Sequence, residues 1–244
     1  MIRYHFFGKE CLIDRDLNDH LNLNKNLAKQ NFSLTNPAIF VNQIHSNKVV
    51  VIDDPNQIDL LHNNPPKADA IVTNLSNLTI AVFTADCVPV ILFDSKHFII
   101  AIAHCGWRGA LDNIAQNTID EMIKIGAKID NIQAVIGPSI RQKSYQISQE
   151  FYDNFLNEKQ SNNQFFVADQ ELSRLDNKHF LFDLPGYVKK KLTNYGIKNI
   201  ADDEIDTYSN PKQFFSYRRS THLAEKDCGR NISVVMIDLS GKKL

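Results

Sequence analysis

Residues 84–113 read TADCVPVILFDSKHFIIAIAHCGWRGALDN, and this stretch decides the fold. Two apolar runs, 88–93 and 98–103, flank the polar turn Asp94-Ser95-Lys96-His97. Neither run alternates apolar with polar residues, the pattern of strands covered on both faces. The second run gives way to His104 and passes through Cys105, Gly106, Trp107, Arg108 and Gly109 before a helical pattern begins at Ala110. From there Leu111, Ile114, Ala115, Thr118, Ile119, Met122 and Ile123 recur with a 3.6-residue period, and Gly126 ends the run, so a helix is expected over 110–125. Pro89 is expected to interrupt the ladder of the first run just after Cys87.

Working outward, Ile-, Val- and Phe-rich segments predict further strands at 39–43, 48–53, 70–73, 78–84, 132–136, 214–217 and 232–238. Further helices are expected at 148–158, with Ser148 as N-cap, and at 185–195, opened by Pro185 and closed by Gly196. Strands and helices interleave irregularly, which argues for a strand-rich α/β (α+β) chain rather than a clean doubly wound sheet. No linker divides it, so a single domain over 1–244 is expected.

Composition narrows the function. The 244 residues are 43% hydrophobic and 23% charged with a net charge of −1, which leaves no basic footprint for nucleic acid. All apolar runs are far shorter than the roughly 20 residues a spanning helix needs, and no signal peptide is read at the amino terminus, so no membrane partner is expected. Four cysteines without a CxxC pair suit a reduced, cytoplasmic setting.

The corner between strand and helix concentrates chemistry. Glycine permits sharp turns and close approach, and ligands gather at such corners. His45, in FVNQIHSNKVVVID, falls in a polar turn between strand-like segments. With Cys87 and His104 it makes a His/Cys/His set, borderline-soft ligands that suit Zn²⁺ and leave a fourth position open. Such distant residues have a plainer reading too: Cys87 as a small buried hydrophobe, each His as a satisfied polar group.

The segments NQIHS, ADAIVTN, TADCVPVILFD, AIAHCGWRGA, IGPSI, FFSYRR and GRNISVVMI, in this order, resemble the YfiH/YlmD-type family, long labelled multicopper polyphenol oxidase or laccase-domain proteins. The likeness runs from about His45 to Ile237. It implies a four-layer α/β/β/α sandwich with mixed sheets, one zinc held by His45, Cys87 and His104, and a cytoplasmic enzyme of purine nucleosides. The implied reactions are phosphorolysis of adenosine, inosine and S-methyl-5'-thioadenosine, and hydrolytic deamination of adenosine. A bacterial branch is tied to editing of peptidoglycan precursors. This chain departs from the family pattern at Cys105, where Ala is usual, at Arg141, Ser144 and Gln146 after GPSI, and at Asp206-Thr207 before FFSYRR.

Under that reading His45, Cys87, His104 and Arg108 are the expected catalytic set. Arg108, Arg218 and Trp107 would bind substrate: the arginines phosphate, Trp107 the purine by stacking. Arg219 is a further candidate, although an ion pair suits it as well. Asp86 could shuttle a proton or simply hold a turn. Cys105 and His104 are neighbours on a strand and should point oppositely, so they should not share a metal. Copper oxidation is disfavoured because there is no His-x-His pair and only eight histidines. A metal-free cysteine hydrolase with Cys87 as nucleophile and His104 as base, acting on peptidoglycan precursors, and a non-catalytic binding module complete the alternatives.

Overall fold

Both faces of the apolar runs are covered, and this sets the architecture. The structure is a computed structural model that describes residues 1–11, 20–30, 32, 36–169, 179–226 and 228–239; the other positions of the expected 1–244 unit lie outside the described residues. A six-stranded sheet is built from β2 (Val49–Ile52), β3 (Ala70–Thr73), β5 (Val88–Asp94), β6 (Ile99–Cys105), β7 (Ile132–Ile136) and β11 (Asn199–Asp202). A three-stranded sheet contains β1 (Ile2–Phe7), β4 (Thr79–Thr84) and β12 (Asn231–Ile237), and a smaller one β8 (Gln146–Ser148), β9 (Phe166–Ala168) and β10 (His179–Phe182). The helices are α1 (His20–Lys29), α2 (Ile58–Asn63), α3 (Trp107–Leu111), α4 (Ile114–Lys124), α5 (Gln149–Glu158), α6 (Leu184–Tyr195) and α7 (Tyr217–His222).

The strand order in the large sheet is β11-β7-β5-β6-β3-β2, with β2/β3 and β7/β11 parallel and the rest antiparallel. In the three-stranded sheet β12 lies between β1 and β4, all antiparallel. Successive strand side chains point to opposite faces, so the layers follow from parity. Ala101, Ala103 and Cys105 of β6, with Val88, Val90 and Leu92 of β5, pack on Ile119 and Met122 of α4 and on Tyr187 and Leu192 of α6. Ile100 and Ile102 of β6 face the other way, against Ile80, Val82 and Val235 of the three-stranded sheet. The far face of that sheet, through Ala81, Phe83 and Val234, carries Leu27 of α1 and Phe40. Helix, sheet, sheet and helix are stacked in four layers, and each fully buried Leu or Ile contributes about 1.5–3 kcal/mol.

Several local expectations are corrected. The helix expected over 110–125 is two helices, α3 and α4, separated by Asn113 at φ 68. Asn tolerates this left-handed geometry, and its side-chain oxygen accepts a hydrogen bond from Lys191 Nζ at 2.8 Å. Arg108 therefore lies within a short helix rather than ahead of a long one. Residues 39–43 form only isolated bridges, Ile39 with Ile80 and Asn42 with Lys67. Residues 214–217 are not a strand: Ser216 caps α7 by accepting from the Arg219 backbone N–H. Pro89 sits inside β5, paired with His104, and the irregular backbone lies at Asp86, φ 87. Ser148 caps α5, and Gly196, at φ 111, ends α6 as expected. No helix among the described residues is long and apolar enough to cross a membrane.

Candidate metal centre and its rim

Parity along β6 separates its two polar-capable end residues. Cys105 turns into the helix-side core, fully buried, and burial pushes its thiol far above the ordinary value, with the negative Cys87 and Asp69 adding to the effect. His104 turns the other way and is 3% exposed. Facing it are Cys87, which follows the left-handed Asp86, and His45, itself left-handed at φ 58 in its loop. Cys87 Sγ lies 3.9 Å from His45 Nε2, and the ligand atoms of His45, Cys87 and His104 all fall within 4.8 Å of one another. Three segments distant in sequence thus bring two imidazoles and a thiol to one point, and this group could hold a metal ion.

Protonation suits that role. Burial alone would raise the Cys87 thiol, but the adjacent His104 and His45 imidazoles outweigh it and bring it down to about 6. Burial alone would lower His104, but the Cys87 thiolate and the Asp69 carboxylate outweigh it and lift it to about 9. The pair favours thiolate and imidazolium, and a cation would take the place of the imidazolium proton.

Asp69 holds the arrangement, and the sequence reading missed it. Its wholly buried carboxylate accepts from the backbone N–H groups of Ile44 (3.3 Å), His45 (2.9 Å) and Ser46 (2.6 Å), and from Ser46 Oγ (2.7 Å). It also pairs with His104 Nδ1 at 2.9 Å, which leaves Nε2 as the ring nitrogen available to a ligand. Burial would raise this carboxyl, but the hydrogen bonds from His104 and Ser46 dominate and bring it down to about 2. The available signal was an acid inside KADAIVT, at the mouth of an apolar strand, since a buried carboxylate must be paired.

Two glycines of HCGWRG seat the His45 loop. A Cβ on Gly106 would lie 2.8 Å from His45 Cδ2 and 3.1 Å from Cys87 Sγ. One on Gly109 would lie 2.8 Å from the Ser46 carbonyl oxygen. Backbone without side chain is what lets α3 and the loop at 44–47 touch.

Around this centre the other expected residues divide. Arg108 is exposed, with its guanidinium 4.7 Å from the Trp107 ring. Arg218 donates Nη1 to the Gln146 carbonyl at 2.6 Å and its guanidinium lies 5.3 Å from the Tyr145 ring. Among the described residues neither guanidinium pairs with a carboxylate. Arg219 instead ties down the carbonyls of Thr207, Tyr208 and Phe214, a structural task. Trp107 packs on Phe151 (4.8 Å) and Phe155 (6.4 Å), so the core occupies part of its surface. Asp86 accepts from Thr207 Oγ1 and from the Arg218 backbone N–H, both at 2.7 Å, which commits its carboxylate to holding the turn. His97, exposed in the turn between β5 and β6, pairs with Asp94 at 2.7 Å.

The departures from the family pattern support one another. Arg141 makes a two-pronged contact with Asp202 (3.0 and 2.7 Å), and Asp206 accepts from the Arg141 backbone N–H and from Ser144 Oγ. Thr207 in turn holds Asp86, beside Cys87.

Comparison with known proteins agrees with this architecture. Residues 11–238 match the model of the family described as multi-copper polyphenol oxidoreductase laccase. A purine nucleoside phosphorylase of Rickettsia prowazekii is 37% identical over 207 residues, covering 85% of this chain and 81% of that protein. An adenosine deaminase from an unknown prokaryotic organism is 42% identical over 116 residues, 46% of this chain and 44% of that protein. The crystal structure of the Bacillus licheniformis hypothetical protein YfiH superposes with a TM-score of 0.83 at 23% identity, covering 97% of this chain and 92% of that one, and shares the fold.

Proposed function

The chain belongs to the multi-copper polyphenol oxidoreductase laccase family, and from this membership and the His45–Cys87–His104 geometry we propose that it is a zinc-dependent purine nucleoside enzyme. Its reactions would be phosphorolysis of adenosine, inosine and S-methyl-5'-thioadenosine and hydrolytic deamination of adenosine. The names of the relatives, a purine nucleoside phosphorylase and an adenosine deaminase, support the substrate class. The observation that carries the reading is the convergence of the three ligand atoms within 4.8 Å, backed by a buried carboxylate on His104 Nδ1.

The donor set fits zinc. One thiolate and two imidazoles, with an outer carboxylate fixing the tautomer, form an N/S site of the kind that keeps one position open. Copper fits less well: the described residues hold one three-ligand group, and Met122 and Met236, which could have served as weak axial ligands, are buried in separate cores. When bound, zinc supplies Lewis-acid chemistry, acidifying water or polarising a substrate atom. The protein's own part is positional. Asp69 holds His104 and the His45 loop in register. Arg108 and Arg218, without carboxylate partners among the described residues, would offer donors to phosphate.

A second reading has one observation in its favour. The Cys87 thiol, brought down to about 6 beside His104, is also the state of an activated nucleophile, which would suit a cysteine-type hydrolase of peptidoglycan precursors. Metal analysis of protein purified without added metal separates the readings. One zinc per chain, with adenosine converted to adenine in phosphate and to inosine without it, supports the first. Metal-free protein that leaves adenosine and inosine untouched removes it.

A further inference from the structure

Hydroxyl pairing among the tyrosines singles out Tyr145. The phenols of Tyr152, Tyr187, Tyr195 and Tyr208 all bond a side chain: Asn163, Glu158, Asp120 and His222 respectively. Tyr4 and Tyr217 are exposed, at 41% and 60%, and water serves them. Tyr145 is half-buried, and among the described residues its hydroxyl has no hydrogen-bond partner. The hydroxyl is not one of the buried unpartnered atoms, so it reaches solvent and a ligand can take the place of water on it.

Its surroundings indicate which ligand. The back of the ring rests on Phe182 (5.7 Å) and Phe151 (6.1 Å), and its carbonyl accepts from the Phe182 N–H at 2.9 Å. The Arg218 guanidinium lies 5.3 Å from the ring centroid, and the Arg218 backbone is pinned to Asp86, next to Cys87. Burial and then the Cys87 charge raise the phenol, with Arg218 and Arg108 opposing, so it stays a neutral donor at any working pH. Among the described residues Arg108 and Arg218 are cations without carboxylate partners, and Tyr145 adds an uncharged donor on the ring that the Arg218 guanidinium faces.

We propose that Tyr145 is a specificity-determining residue whose hydroxyl donates to an oxyanion, inorganic phosphate in the proposed phosphorolysis, alongside Arg218 and Arg108. The ring holds the Arg218 guanidinium in place, and the hydroxyl provides the contact. This inference rests on the phosphorolysis reading above.

Tyr145→Phe separates the two roles, because it keeps the ring and removes the oxygen. The measurements are titration calorimetry of the purified protein with inorganic phosphate alone, and the KM for phosphate with inosine saturating. The expected result is that both constants rise about 10- to 100-fold, the worth of one hydrogen bond to a charged group. Zinc content and Tm should stay at wild-type values, and kcat at saturating phosphate should fall much less than KM rises. Tyr4→Phe, on β1, serves as the control phenol. Wild-type phosphate affinity in Tyr145→Phe overturns the role of Tyr145 while leaving the phosphorolysis reading standing. A wild-type protein that binds no phosphate overturns both.

Discussion

Two wholly buried carboxylates, Asp69 and Asp94, sit at opposite ends of β6 and do the same local work. Asp69 gathers the N–H groups of Ile44, His45 and Ser46 and pairs with His104 Nδ1. Asp94 gathers those of Lys96, His97 and Lys128 and pairs with His97 Nδ1. The outcomes differ because of what lies beyond the imidazole. His97 occupies the β5–β6 turn with 39% of its side chain exposed, whereas His104 is buried with Cys87 and His45 in front of it. A carboxylate–histidine pair is therefore not a metal signal in itself. It becomes one when two further donors converge on the second ring nitrogen.

Removing a donor tests that difference most severely. Cys87→Ala should abolish zinc retention and lower kcat/KM for adenosine by at least about 100-fold, since no other side chain can supply the sulfur. Elemental analysis and product chromatography read both, and full zinc content in the variant removes Cys87 from the ligand set. Next comes a direct swap of ends. Asp69→Asn should weaken zinc binding by about 10- to 100-fold, as loss of an outer partner does elsewhere. Asp94→Asn should cost about 1–3 kcal/mol of stability with zinc affinity intact. Chelator competition and urea unfolding on both proteins check this, and equal zinc loss in the two would erase the contrast.

Glycine substitutions sharpen the comparison at smaller scale. Gly106→Ala should displace the His45 ring and weaken zinc about 10-fold or more. Gly126→Ala, at φ 114 near Ile99, should cost about 1 kcal/mol through backbone strain alone. Smallest is a pH effect at the Asp94 end. Burial would raise that carboxyl, but the Lys128, His97 and Lys96 donors outweigh it, so its folded value lies below the ordinary one. Its stabilisation is complete above the unfolded value of about 3.9 and is lost as pH falls through that value and below. Urea unfolding between about pH 5 and pH 3 should show a shallower acid slope in Asp94→Asn than in wild type.

Much of this was readable from the chain. Continuous apolar runs announced strands buried on both faces, and β5 and β6 appear within two residues of the runs at 88–93 and 98–103. Capping residues located α5 and α6 because a cap is a local bond. Short polar strands such as β8 and β11 were not legible, since pairing partners rather than their own pattern hold them. The break at Asn113 was hidden because a left-handed residue leaves the apolar period on either side intact.

The donor types of Cys87 and His104 and their positions at the ends of apolar runs belong to the sequence, as does the opposition of His104 and Cys105, because strand parity is a covalent consequence of the chain. Only the tertiary structure decided that His45 meets them, that Asp69 organises the corner, and that Arg219 and Asp86 are committed to backbone and turn. Those outcomes depend on which buried polar groups find partners across long separations, and pairing in three dimensions leaves no fixed spacing in one.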